Sequence, residues 1–198
     1  MKAGNSGKVR AFIAYRLPLD VSAALYKKAR HHVGEDLVET LRWVAPQDYH
    51  LTLRFLGSCT EDQLQQISHG LHEALQDVDG FRCMTGEVNY FPSTNHPRVM
   101  ALMVHSGKVM ERLYTLCDEL AVSAGIPSQS RHFRPHVTLA RFPSDMQRLS
   151  MSVWRLPGFH LTVRDIALIR SDLTPEGARY SVMETFPLEL TLQEAVAQ

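Results

Sequence analysis

The chain has 198 residues, with 21 basic and 21 acidic side chains, a hydrophobic fraction of 44%, 10 histidines and 3 cysteines. That length fits one domain, or two small lobes sharing a core, and no run approaches the roughly 18 apolar residues of a membrane helix. A net charge of zero excludes a protein that coats nucleic acid by bulk electrostatics, though not one with a small basic cleft.

The N-terminus, Met1 to Val9, is polar and carries no apolar secretory stretch; residues 1–8 read as a flexible tail of a single domain spanning 1–198. Val9–Arg16 reads as a strand, with Phe12, Ala14 and Arg16 on one face and Ile13, Tyr15 and Leu17 on the other. Pro18 stops it, and Asp20 is placed to cap a helix over Val21–His32. Leu41–Val44 is short and apolar. His50–Leu56 is strand-like and ends at Gly57. Thr60 is an N-cap for a helix running to about Leu75, with Leu64, Ile67, Leu71 and Leu75 on one face.

Phe81–Tyr90 and Arg98–Val104 read as two strands joined by a turn with Pro92, Asn95 and Pro97. Val109–Ala124 reads as a helix on Leu113, Leu116, Leu120 and Ala124, terminated by Gly125. Pro135–Phe142, Phe159–Val163, Ala167–Arg170 and Tyr180–Leu188 complete the strands. Adjacent strand pairs mixed with helices point to an α+β fold rather than a doubly wound parallel sheet. Cys59, Cys83 and Cys117 show no CxxC spacing, which excludes a thiolate zinc site; free thiols go with a reducing, cytoplasmic setting.

The chemistry lies in two near-copies, His50-Leu51-Thr52-Leu53-Arg54-Phe55 and His136-Val137-Thr138-Leu139-Ala140-Arg141-Phe142. In a strand, residues two apart share a face. Each copy therefore presents an imidazole beside a hydroxyl, backed by aliphatic residues. A third triplet, His160-Leu161-Thr162, lacks the following leucine and lies close behind the second. It reads as a strand histidine.

Two His and two Thr facing one cleft suit phosphoryl chemistry without a metal. One imidazole takes a proton from the entering oxygen and the other gives one to the leaving oxygen. The hydroxyls donate to the non-bridging oxygens. Arg141 would add a positive charge there, but ideal alternation puts it on the opposite face from His136, so it helps only if the strand bends or ends. Arg54 reads as solvated or structural. Tyr49 reads as a packing residue. Arg131, His132 and Arg134 read as exposed loop residues, with a place at the cleft mouth as the alternative.

On these residues the chain resembles the two-histidine (2H) phosphoesterases, and within them the RNA 2′,3′-cyclic phosphodiesterases, the LigT-like 2′-5′ RNA ligase family. The resemblance runs through RAFIAYRLP (10–18), Trp43–Gly57, Phe133–Phe142 and Ile169–Leu188, whose S-x-L-x-P-x-G-x-x-Y pattern looks like the family's closing strand pair. It implies an α+β fold of two pseudo-symmetric lobes, each an antiparallel sheet with outer helices, around a central cleft. It implies hydrolysis of an RNA-terminal 2′,3′-cyclic phosphate to a 2′-phosphate. His50 and His136 would be the acid–base pair; the two motifs are symmetric and leave open which is acid and which is base, with His136 as base and His50 as acid the preferred order. Thr52, Thr138 and Arg141 would bind phosphate. Arg98–Val104 departs from the family, with Ala101 and Met103 where it often has tryptophan and glycine.

The resemblance implies no cofactor and no metal. The partners would be RNA ends or cyclic nucleotides, with no membrane, and the protein a monomer. The alternatives are a 2′-5′ RNA ligase, a phosphodiesterase for another cyclic phosphate, or a non-catalytic nucleotide-binding module. A metal hydrolase is the weakest reading: His31-His32 and His69-x-x-His72 have no further ligand at metal spacing and read as surface residues.

Overall fold

The computed structural model describes residues 7–105, 107–129, 132–144, 151–156, 158–175 and 177–189. In chain order the strands are β1 (Val9–Arg16), β2 (Arg42–Trp43), β3 (His50–Cys59), β4 (Phe81–Pro92), β5 (Pro97–His105), β6 (His136–Arg141), β7 (Trp154–Arg155), β8 (His160–Val163), β9 (Asp165–Thr174) and β10 (Gly177–Pro187). The helices are α1 (Leu19–Val33), the single turn α2 (Glu35–Val38), α3 (Glu61–Ala74) and α4 (Gly107–Ser123). The fold is α+β, as expected.

The strands form a 10-stranded sheet in the order β10-β9-β1-β3-β6-β5-β4-β7, with β2 beside β6 and β8 beside β4. Strand pairing is antiparallel throughout, and β3 and β6 meet through one pair, Leu51 opposite Val137. That seam divides the sheet into β10-β9-β1-β3 and β6-β5-β4-β7.

The helices cover one face. Leu25 and Ala29 of α1, Leu64, Ile67 and Leu71 of α3, and Leu113 and Cys117 of α4 share a core with Ile13, Tyr15, Leu51, Leu53, Val137 and Leu139 of the strands. The other face keeps a small apolar cluster, Phe12, Ala14, Ala167 and Ile169 against Tyr180. This is the face to which His50 and Thr52 point, and it forms the cleft floor. The alternation read for Val9–Arg16 is thus real, with β1 apolar on both sides.

Several boundaries differ from the sequence reading. Asp20 sits inside the first turn of α1 rather than capping it, because the helix already starts at Leu19 after Pro18. There the carboxylate faces the helix dipole without a capping hydrogen bond. Thr60 does cap α3: it accepts from Gln63 N while Gln63 Oε1 accepts from Thr60 N, a complete capping box. On α4 the buried stripe is Met110, Leu113, Cys117 and Ala121, rotated from the leucine row expected; Leu116 and Leu120 are only partly buried. Leu120 instead lies where a Cβ on Gly70 of α3 would come 2.6 Å from its Cδ2, so the glycine sets how closely these helices approach. Gly57 does not end β3. The strand runs on to Cys59 with Gly57 at φ 73°.

Candidate active site

The two motif strands share a fine structure that their parity alone does not show. In β1·β3, Ala14 opposes Thr52 and Ile13 opposes Arg54, leaving Leu53 as an extra residue. In β5·β6, Ala101 opposes Thr138 and Met100 opposes Ala140, leaving Leu139 extra. Each is a β-bulge, which places two consecutive residues on the same side and shifts all later ones. Both strands consequently bury the fourth and fifth motif residues and expose the sixth.

This corrects the reading of Arg141. The bulge at Leu139 returns Arg141 to the His136 face, and its charge acts on both His50 and His136. Its partner position in β3 is Phe55, which is 56% exposed. Arg54 occupies the other bulge position and is not solvated. It is 2% exposed, lies 2.7 Å from Asp118 Oδ1 through Nε, and donates from Nη1 and Nη2 to the Phe55 and Pro127 carbonyls.

The seam brings the motifs together. With Leu51 opposite Val137, the antiparallel register puts His50 across from Thr138 and Thr52 across from His136. His50 Nδ1 lies 2.6 Å from the Asp48 carbonyl and His136 Nδ1 2.6 Å from the Arg134 carbonyl. A carbonyl only accepts, so each Nδ1 carries hydrogen and each Nε2 is the nitrogen left for chemistry. Thr52 and Thr138 have no partner for their hydroxyls among the described residues.

Both imidazoles are held below their ordinary value, first by burial. The Nδ1 hydrogen bond opposes this in each. At His50 the neighbouring His136, Arg141 and Arg16 add to the depression; at His136, Arg134 and Arg141 do. Cationic surroundings that disfavour imidazolium also favour an anion, and a bound phosphate would raise both values.

Aromatic rings flank the histidines. Phe12 lies 4.9 Å and Tyr180 5.2 Å from the His50 ring, centroid to centroid, and Phe91 5.3 Å from His136. Sequence reasoning missed these rings as site residues. The parity of β1 marked the face of Phe12, and Tyr180 closes the S-x-L-x-P-x-G-x-x-Y segment, so both carried a signal. Two cavities adjoin the pair. One, of about 270 Å³, lies beside His50 with Arg16, Asp48 and Tyr180; the other, of about 420 Å³, includes Thr52, Phe55, His132, Phe133, Arg134 and His136.

Of the other histidines, His69, His72 and His160 stay outside. His160 is exposed on β8, paired with β4 opposite Met84. His72 binds Glu184 at 2.6 Å and His69 binds Glu73 at 3.3 Å. His132 and Arg134 line the larger cavity, as one of the two readings had it, while Arg131 lies outside the described residues. Tyr49 is 1% exposed, a packing residue. Among the described residues no group of three or more His, Cys, Asp or Glu is placed to hold a metal ion, and no helix is long and apolar enough to cross a membrane.

Comparison with known proteins gives the arrangement its relatives. The sequence pattern of the 2′-5′ RNA ligase superfamily matches residues 21–175. The chain is 34% identical over 188 residues to the RNA 2′,3′-cyclic phosphodiesterase of Aquifex aeolicus, covering 91% of this chain and 97% of that protein. It is 32% identical over 130 residues to the protein of the same name in Bacillus subtilis, covering 66% and 69% of the two chains. Among solved structures it is similar to TT0787 of Thermus thermophilus, with a TM-score of 0.78 and 31% identity over 91% of this chain and 98% of that one. Apo LigT of E. coli shares the fold at a TM-score of 0.73 and 22% identity, over 92% and 99%.

Proposed function

The chain belongs to the 2′-5′ RNA ligase superfamily, the two-histidine phosphoesterases, and from that membership we propose that it is a metal-independent RNA 2′,3′-cyclic phosphodiesterase that opens the cyclic phosphate to a 2′-phosphate. The observation that carries this is the pair of matched imidazoles, each with Nδ1 locked on a backbone carbonyl and Nε2 left for the cleft.

The reaction is an in-line displacement at phosphorus. Water attacks, and its proton passes to Nε2 of His136. The bond from phosphorus to the 3′ oxygen breaks, and that oxygen takes the proton from Nε2 of His50. The products are a 2′-phosphomonoester and a free 3′-hydroxyl. Thr52 and Thr138 donate to the non-bridging oxygens, and Arg141 holds their charge. Hydroxyl donors preorganised on a strand need no reorganisation as charge develops.

The reading includes a monomer acting on RNA ends and cyclic nucleotides in the cytoplasm, a setting that suits the free, buried thiols Cys59, Cys83 and Cys117. A panel of 2′,3′-cyclic nucleotides and cyclic-phosphate-ended RNAs, run in excess EDTA, tests it by the phosphate isomer formed. His50→Ala and His136→Ala are each expected to lower turnover by about 10²–10⁴-fold while the fold survives. Full activity in either variant overturns the site assignment. A cyclic substrate with sulfur at the 3′ bridging position tests the roles, since a thiolate leaves without an acid. His50→Ala then recovers and His136→Ala does not.

A second reading, 2′-5′ joining of RNA, is favoured by the cavities on both sides of the histidine pair. A 5′-hydroxyl takes the place of water and the same two histidines act in the same roles. RNA halves with 2′,3′-cyclic and 5′-hydroxyl ends test it by the appearance of a 2′-5′ junction.

A further inference from the structure

Arg141 does not stand alone at its end of β6. Arg42 of β2 lies directly opposite it on one side, and Val99 of β5 on the other. Phe91 of β4 continues the row beyond Val99. Cross-strand partners share a face, so Arg42 stands on the cleft face with Arg141. The neighbouring row agrees: Trp43, Ala140, Met100 and Tyr90 oppose one another in turn and pack into the core. β2 is two residues long, and Trp43 fixes it. Its Nε1 donates to the Val38 carbonyl at 2.8 Å, its ring meets Tyr26 edge-on at 5.7 Å, and the Val44 amide donates to the Leu139 carbonyl at 3.0 Å. That anchor leaves Arg42 exposed on the rim. Like charges directly opposite each other destabilise a sheet. Among the described residues neither guanidinium has an ion pair or a hydrogen bond, and Glu39, the acid nearest to Arg42 in sequence, is held by Arg30 at 3.0 Å. An anion bound between the two would relieve the repulsion.

We propose that Arg42 is the cation of a second phosphate subsite, which holds the phosphodiester joining the terminal nucleotide to the one before it while Arg141 serves the reacting phosphate. The proposal rests on the phosphoesterase reading above for where the reacting phosphate lies. Arg141 stands three residues beyond Thr138, roughly 10 Å of strand, and Arg42 is one strand, about 5 Å, further across. Arg141 is among the charges that act on both imidazoles, and Arg42 is among those of neither. Arg42 is thus one step further from the histidines, where the next phosphate of a strand would lie. The other cations of the cleft are otherwise engaged. Arg16 is shared with Asp48 and Asp165, and Arg134 lies over the Phe91 ring at 4.6 Å. A guanidinium on a phosphodiester reads charge and carries no base information. The subsite therefore selects an RNA end over a free cyclic mononucleotide, whatever the sequence of that end.

Calorimetric titration with two forms of the dinucleotide ApA bearing a terminal 2′-phosphate tests this without depending on turnover. One form has the natural phosphodiester between its nucleosides, and the other a methylphosphonate, which carries no charge. The wild-type protein is expected to bind the natural form about tenfold more tightly, and its affinity for that form should fall more steeply with salt, by about 0.7 in the logarithmic slope. Arg42→Gln removes both differences, and Arg42→Glu reverses the order of the two ligands. The side chain is exposed, so neither substitution opens the core. Equal binding of the two forms by the wild-type protein overturns the subsite, as does a gap that survives Arg42→Gln. Either result leaves the hydrolytic reading standing if cyclic phosphate is still opened. A gap that follows Arg42 as expected, in a protein that opens no cyclic phosphate, upholds the subsite and defeats the hydrolytic reading instead.

Discussion

Leu53 and Leu139 are equivalent bulge residues, each left without a partner as its strand passes its neighbour. Each follows a His-x-Thr triplet directly. The bulge turns the next residue into the core and the one after it back to the cleft. Arg54 and Ala140 are the residues turned inward, and Phe55 and Arg141 are those turned out. One backbone irregularity, used twice, gives the cleft a cation on one strand and a ring on the other.

The charge of Arg141 therefore acts on both imidazoles, and its removal has two readouts. Arg141→Ala is expected to lower turnover of a cyclic nucleotide, because no guanidinium remains to hold the non-bridging oxygens. It also relieves part of the depression of both imidazoles, since Arg141 pushes His50 and His136 in the same direction. NMR titration of the ring protons should show both values moving up. A variant in which neither histidine moves would place the guanidinium elsewhere.

The motif residues and their partition between faces were legible because alternation in a strand is a local property. His50 and Thr52 emerge together, as do His136 and Thr138, with Leu51 and Val137 behind them. The capping box at Thr60 and the glycine at 125 were legible for the same reason: each is settled within one turn of chain. The bulges were not. A bulge is a mismatch between two strands, and neither strand's sequence states it. Arg141 was misplaced on that ground. The rings of Phe12, Tyr180 and Phe91 around the histidines depend on which strands become neighbours, and so belong to the sheet order.

Arg54 predicts a loss of stability. Its guanidinium is 2% exposed and approaches Asp118 ionically through Nε, without an aligned hydrogen bond there, while the Asp118 side chain is 19% exposed. Arg54→Ala leaves Asp118 and the Phe55 and Pro127 carbonyls without their cation. Breaking such a buried pair costs about 3 kcal/mol. Urea denaturation reads this directly, and a loss within experimental scatter would show that β3 and α4 do not need the pair.

The depressed histidines make stability depend on pH in a definite direction. An unfolded imidazole titrates near about 6.5, while His50 and His136 in the fold titrate lower. Between the two values the unfolded chain holds protons that the folded one does not. Stability is then fully present above the unfolded value, falls as the pH drops, and levels off once the folded histidines are protonated. Denaturation midpoints from pH 7.5 down to 5 should decline, and less steeply in the double variant His50→Gln, His136→Gln. Equal slopes in the two proteins would remove the histidines as the cause.

The charge balance predicts how firmly the protein holds an RNA strand. With 21 basic and 21 acidic side chains there is no basic coat, and the cations that act on the two histidines are Arg16, Arg134 and Arg141. Arg16 is shared with Asp48 and Asp165, on both of which its charge acts. Contact is thus expected to be confined to the end of the strand, to the terminal phosphate and at most a neighbour. For a single strand the logarithm of affinity falls with the logarithm of salt by about 0.7 per phosphate neutralised. Binding of a cyclic-phosphate-ended oligonucleotide should therefore show a slope of about 1 in magnitude, nearly the same for a trimer as for a decamer. A slope that steepens with strand length would mean that a further basic surface follows the RNA body.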